Sequence, residues 1–290
     1  MPILEVQALS YSYPDSPGPS LHGVNFKAEQ GEFILVTGPS GCGKTTFCRC
    51  LNGLIPNSYG GDFRGEVIVD GLATTEHPVT EVAQRLGLVF QNPENELFCT
   101  SVEREVAFGP ENLSLPRSEI KSRVDEALSS VGISHLREKS PEELSGGEQQ
   151  KVAIAALLTM KPKVLVLDEP TANLDPLSAE SVVNILAGLN RRSKVTIVLV
   201  EHRLEMAAPF ADRCVIFDNG TISHDGPPAD VLYSDGVDAL GIGIPKVVQI
   251  AKILAAGLGF EGRPLSSREL SDMLEGERKE ANIMGRRADV

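Results

Sequence analysis

Gly38-Pro39-Ser40-Gly41-Cys42-Gly43-Lys44-Thr45 follows the apolar run Phe33–Thr37 and opens a helical stretch at Lys44. Its spacing is G-x-x-x-x-G-K-[ST], set between a strand and a helix as a phosphate-binding loop must be. Glycines let successive backbone N–H groups curl around an anion, and the N-terminus of the following helix adds partial positive charge. On this reading Gly38, Pro39, Ser40, Gly41, Cys42 and Gly43 form the cradle. Lys44 reaches the β- and γ-phosphates, the Thr45 hydroxyl ligates Mg2+, and Thr46 touches the α-phosphate. Cys42 lies at the start of the helix, where a thiolate is favoured, so its alkylation is expected to block nucleotide entry and bound nucleotide to protect it.

Further along, Val164-Leu165-Val166-Leu167 runs into Asp168-Glu169. A buried strand ending in two carboxylates beside the phosphate loop places one near a metal. Asp168 is expected to hold Mg2+ through water, and Glu169 to orient or deprotonate the attacking water. In isolation the pair reads as two solvated acids after a strand; the neighbouring loop is what turns it into a site.

Around these motifs the chain alternates strands and helices. Residues 3–9 and 24–28 read as half-buried strands joined by a loop at Pro14–Ser20. Gly65–Val69 and Gly71–Ala73 turn at Asp70-Gly71, and Arg85–Phe90, Val195–Val200 and Cys214–Phe217 are apolar strands. From Pro93 to Met160 the period becomes 3.6, with Ile120, Val124, Ala127 and Leu128 on one helix face. Strand–helix alternation implies an α/β fold with a mainly parallel sheet covered on both faces; with the phosphate loop it resembles a P-loop NTPase with a RecA-like core sheet, an antiparallel β subdomain, an inserted α-helical subdomain and a small C-terminal helical extension. The expected boundaries are 1–227 for the nucleotide-binding domain, with helices over about 92–160, then 228–275 for the extension and a frayed tail at 276–290.

The 290 residues carry a net charge of −13, which argues against a nucleic-acid partner, because neutralising phosphates takes a basic footprint. No apolar run approaches the roughly 20 residues that span a bilayer. Met1–Glu5 lacks a basic start and an apolar run, so no signal peptide is expected. Five cysteines, odd in number and without a CxxC pair, fit a reduced cytoplasmic chain.

Leu144-Ser145-Gly146-Gly147-Glu148-Gln149-Gln150 precedes a helix 20 residues before Asp168. Alone it reads as a serine-capped helix start. With the phosphate loop and the acidic strand, in this order, it resembles the signature of ATP-binding cassette (ABC) proteins over nearly the whole chain. Four more landmarks carry the resemblance: Gln91 at a strand end, Asn173-Leu174-Asp175 after Glu169, His202 after Val195–Val200, and Tyr13, with Tyr11 as the alternative. The resemblance implies an ATPase in which Gln91 contacts the metal and couples to a partner, His202 contacts the γ-phosphate and Tyr13 stacks on adenine. It also implies a head-to-tail dimer, in which Ser145, Gly146 and Gly147 of one subunit cap the γ-phosphate held by the other and Asp175 belongs to the loop at that interface. ATP then holds the dimer closed and hydrolysis releases it.

Phe90-Gln91-Asn92-Pro93-Glu94-Asn95-Glu96-Leu97-Phe98, Val102–Leu113 and Leu240–Leu254 are similar to the ATPase subunits of energy-coupling factor (ECF) transporters, which import vitamins and transition-metal ions. Glu96 departs from the usual glutamine there, and Cys42 from the usual serine or alanine. The implied assembly sits on the cytoplasmic face of the membrane. It comprises a second ATPase subunit, identical or a paralogue, a transmembrane coupling subunit and a substrate-binding membrane subunit. Gln91–Phe98 would receive the coupling helices. The coiled-coil or zinc insertions of DNA-acting relatives, the paired cassettes of ribosome-associated ones and the fused membrane domain of exporters are not seen in this sequence. Glu169 and His202 leave no sign of a degenerate cassette.

Overall fold

The computed structural model describes residues 2–92 and 97–276. Expectations that rest on Pro93, Glu94, Asn95 and Glu96, and on the tail from 277 onward, lie outside the described residues.

The strands are β1 (Leu4–Ser12), β2 (Leu21–Ala28), β3 (Phe33–Thr37), β4 (Asp62–Val69), β5 (Leu72–Ala73), β6 (Leu86–Val89), β7 (Val164–Asp168), β8 (Thr196–Val200), β9 (Arg213–Asp218) and β10 (Thr221–Gly226). The helices are α1 (Lys44–Leu51), α2 (Leu54–Asn57), α3 (Val79–Val82), α4 (Val102–Asn112), α5 (Arg117–Ser130), α6 (Gly146–Leu158), α7 (Pro176–Ser193), α8 (Leu204–Ala207), α9 (Pro228–Leu232) and α10 (Lys246–Leu258). Residues 267–276 are helical as well.

One sheet has the order β10-β9-β3-β8-β7-β6, with five parallel strands and β10 antiparallel at its edge. The other is antiparallel, β2-β1-β4-β5. The apolar strands of the first sheet still obey the period of two. Phe33, Leu35, Leu165, Leu167, Ile197, Leu199, Cys214 and Ile216 enter a core shared with α4, α5, α6 and α7. Ile34, Val36, Val164, Val166, Val198, Val200, Val215 and Phe217 enter a second core shared with α1 and the antiparallel sheet. A parallel sheet covered on both faces needs apolar side chains at every position, so the alternation is hidden in the sequence.

Most elements follow their sequence signals closely. Pro176 starts α7 behind Asp175, whose carboxylate accepts from the N–H groups of Leu177 (3.0 Å) and Ser178 (3.1 Å). Ser145 and Glu148 form a capping box at α6. Strand β10 was not expected. Its sequence, Thr-Ile-Ser-His-Asp-Gly, has a single large apolar residue, because an edge strand with alternating exposure buries little. Beyond residue 227, Val231, Leu232, Val237, Ile242, Ile244, Val247 and Val248 join the core that holds α4 to α7. No helix among the described residues is long and apolar enough to cross a membrane.

Candidate functional site

The phosphate loop sits at the carboxyl end of β3, between its parallel neighbours β9 and β8, where an open α/β sheet forms its ligand crevice. Two glycines are required there by contact. Gly38 has φ +146°, and a Cβ on it would lie 2.2 Å from the Phe217 carbonyl oxygen. Gly43 has φ +106°, and its Cβ would lie 2.6 Å from the Ser20 oxygen. Lys44 is buried, and its ammonium donates to the carbonyls of Gly38 (2.8 Å) and Pro39 (3.0 Å).

Cys42 corrects one expectation. Its thiol is buried, and burial pushes its pKa up, with the nearby Lys44 only opposing that shift. The thiol side of the equilibrium is favoured, which disfavours attack on an alkylating reagent. Cys48, Cys50 and Cys214 are buried too, whereas Cys99 is half-exposed. Iodoacetamide should therefore modify Cys99 first, and Cys42 at least about tenfold more slowly in the folded chain. Peptide mass spectrometry over a time course measures this; equal rates would show the loop opening readily.

Gln91, Glu169 and His202 converge. The register pairs Val89 with Leu167 and Leu167 with Leu199, so the chains leaving β6, β7 and β8 emerge side by side. Gln91 Nε2 donates to Glu169 Oε2 at 3.0 Å, and His202 Nε2 lies 3.0 Å from Glu169 Oε1. Glu169 itself has φ +52°, an uncommon conformation for a non-glycine residue, and its N–H donates to the Val200 oxygen at 3.0 Å. Its carboxylate is thereby aimed into the gap between the strand ends.

Asp168 ends β7 and is buried beside the helix that carries Thr45. Burial pushes its carboxyl pKa up, and a hydrogen bond from Thr45 opposes that shift. Its Oδ1 is buried without a hydrogen-bond partner. Such an acceptor is costly to leave alone, so these donors fit a hydrated divalent cation.

Tyr13 is half-buried, 3.3 Å by its hydroxyl from Thr46 Oγ1, and accepts from Arg49 Nη1 at 3.1 Å. Tyr11 is fully buried, and its hydroxyl donates to the Gly60 oxygen at 2.8 Å. Of the two tyrosines, Tyr13 alone offers an accessible ring beside the loop.

The other expected site residues are elsewhere. Ser145 and Gly146 face solvent at the start of α6, while Gly147 is buried, 2.8 Å from the Ser178 side chain when given a Cβ. No hydrogen bond among the described residues joins Ser145, Gly146 or Gly147 to the loop 38–46. Asp175 is exposed, and its bonds to Ser178 hold its carboxyl below the usual range. Two polar links were not anticipated: Asn173 Nδ2 donates to Asn92 Oδ1 at 2.7 Å, and buried Glu201 accepts from Thr171 N–H at 3.2 Å. Asn92 and Asn173 lie within quoted motifs and Thr171 and Glu201 lie beside them, but nothing in the sequence says which side chains face each other.

The family model for "ABC transporter" matches residues 21–172. A putative ABC transporter ATP-binding protein of Pyrococcus abyssi is 49% identical over 86% of this chain and 90% of its own length. One from Methanosarcina acetivorans is 46% identical over 92% of this chain, which spans 41% of that longer relative. The energy-coupling factor transporter ATP-binding protein EcfA of Methanothermobacter thermautotrophicus is 42% identical over 89% of this chain and 82% of its own. Among solved structures, cbiO1 of Clostridium perfringens, described as part of the ABC transporter complex cbiONQ, superposes with a TM-score of 0.74 at 31% identity, covering 89% of this chain and 96% of that one. The dimeric ATP-binding cassette MJ0796 bound to ADP and Pi gives 0.67 at 26% identity, over 78% of this chain and 98% of that one.

Proposed function

This chain belongs to the ABC transporter family as an ATP-binding subunit, and on that premise we propose that it is the ATP-hydrolysing motor of an ECF-type importer. The observation that carries the chemistry is the carboxylate of Glu169, held between Gln91 and His202 at 3.0 Å on either oxygen.

In the proposed mechanism, backbone N–H groups of residues 40–46 and the Lys44 ammonium bind the phosphates, and Tyr13 stacks on adenine. Thr45, Gln91 and Asp168, the last through water, would hold Mg2+, which when bound neutralises charge on the β- and γ-phosphates. Glu169 takes the proton of the attacking water, and His202 orients Glu169 and contacts the γ-phosphate. Ser145, Gly146 and Gly147 of a second ATPase subunit complete the site from the opposite side, with Asp175 at the joint. The solvent-facing position of Ser145 and Gly146 at a helix start supports that reading.

The partner surface follows from the segment after Gln91. Phe98 is 66% exposed and Phe108 43%, packed edge to face at 4.9 Å. Buried Glu105 fixes this segment by accepting from the N–H groups of Phe98 (2.9 Å) and Cys99 (2.7 Å). Two large exposed rings on a rigid support suit an apolar helix of a membrane partner. The similarity to EcfA and cbiO1 supports a transmembrane coupling subunit and a separate substrate-binding membrane subunit, with this chain peripheral on the cytoplasmic face.

Gln91→Ala should lower transport by about 10–100-fold, as loss of a group supporting a metal site does, with ATP affinity within about twofold. Uptake into vesicles and titration with a fluorescent ATP analogue measure the two; loss of ATP binding would count against a coupling role. The whole assignment is tested by affinity purification of the tagged chain from native membranes. Recovery of a transmembrane scaffold, lost when Phe98 and Phe108 are changed to Ser, is the expected result. Purely soluble partners would sink the importer reading and leave the ATPase.

A further inference from the structure

Strand β8 is apolar from Ile197 to Val200 and then places an acid, Glu201, immediately before His202. Glu201 is 2% exposed. Its Oε1 accepts from Thr171 N–H at 3.2 Å and its Oε2 from His202 N–H at 3.2 Å, and the Arg203 N–H bonds the same carboxylate. The backbone of Glu201 is fixed in turn, since its N–H donates to the Val36 oxygen of β3 at 3.0 Å. A second tie runs parallel to the first, from Arg203 Nη1 to the Leu174 oxygen at 3.1 Å.

A carboxylate taken out of water is destabilising unless its lone pairs are used. Here they are used by N–H groups of two different segments: the loop that follows Glu169 and the one that carries His202. Burial pushes the Glu201 pKa up and these donors oppose it. The neutral alternatives at this position would each leave a backbone N–H without an acceptor.

We propose that Glu201 is a positioning residue: by pinning the Thr171 and His202 backbones together it sets the 3.0 Å approach of His202 Nε2 to Glu169 Oε1. This rests on the roles given above to Glu169 and His202. A cavity between α5 and α7, where Glu126 lies among Arg123, Lys161, Lys163 and Lys194, mixes both charges and carries no comparable argument.

Glu201→Gln turns one acceptor oxygen into an N–H2 donor that faces a backbone N–H. The expected result is a fall in kcat on the order of tenfold, because small misplacements of reacting groups are costly, with the Kd for ATP within about twofold. The full-length chain serves for the test, as Glu201→Gln, His202→Ala and the double variant, read by phosphate release, binding of a fluorescent ATP analogue and thermal melting. If Glu201 acts through His202, the double variant is no slower than His202→Ala alone. Additive losses would overturn the proposal, as would an unchanged kcat or a joint loss of kcat, ATP affinity and melting temperature. Should Glu201→Gln not fold, Glu201→Asp keeps the charge one methylene short and is read by the same cycle with the same outcomes. Glu169→Gln separates the two readings: if it leaves hydrolysis intact, the site itself is misassigned. If it abolishes hydrolysis while Glu201→Gln is normal, only the proposal about Glu201 falls.

Discussion

Glu169→Gln is expected to slow ATP turnover by about 10²–10⁴-fold, the usual worth of a general base, while ATP still binds. The amide keeps the shape of the side chain but no longer takes a proton. Gln91 still finds an oxygen to donate to if the new carbonyl takes the place of Oε2, and the amide nitrogen then meets His202. In the proposed mechanism the nucleotide is held by the loop 38–46 and Tyr13 and not by Glu169, so affinity should change by no more than about twofold. Unhydrolysed ATP would then hold two subunits together, visible as a nucleotide-dependent dimer in size-exclusion chromatography. Phosphate release from the purified variant decides the matter: activity above about a tenth of the parent would place the base at another residue.

Gly38→Ala is expected to damage the same site through the backbone. An alanine Cβ would meet the Phe217 oxygen at 2.2 Å, the Phe217 carbonyl carbon at 3.1 Å and Cys42 Sγ at 2.8 Å, at φ +146°. Phe217 is fully buried in β9, which is paired on both sides, so it has nowhere to retreat. Backbone strain of about 1–3 kcal/mol adds to overpacking of similar size. Against a typical total stability of about 5–15 kcal/mol this is severe. The melting temperature should fall by roughly 5–15 °C. With the cradle pushed out of shape, ATP affinity should drop at least about tenfold. Thermal melting and a nucleotide titration test both halves; a variant that melts and binds like its parent would mean the loop is far less crowded than its contacts indicate.

The central sheet was legible because its strands are unbroken apolar runs between turn residues, and the phosphate loop because glycine, lysine and threonine are fixed in spacing. What pattern alone left open was mutual placement. That Gln91 and His202 would take opposite oxygens of one carboxylate follows from the pairing of β6, β7 and β8, which no local signal encodes. Which of Tyr11 and Tyr13 keeps an accessible ring depends on how the antiparallel sheet packs. Cys42 was misjudged because its helix position suggests reactivity while its side chain points at Gly38 and Lys44. Glu201 carries no local signal: a lone acid after an apolar strand reads as solvated, and only tertiary packing buries it.

The register of the central sheet also sets a timetable for synthesis. Phe33 pairs with Ile197, and Thr37 with Ile216, so β3 stands between two strands made long after it. Loop closure over such separations slows folding and prolongs exposure of unpaired edges. At about 5–20 residues per second, roughly 10–40 s pass on the ribosome between the appearance of β3 and that of its second neighbour. Until β8 emerges, Phe33-Ile-Leu-Val-Thr37 lacks both of its sheet neighbours, which makes this segment the place where chaperone binding to the nascent chain, or its aggregation, would begin.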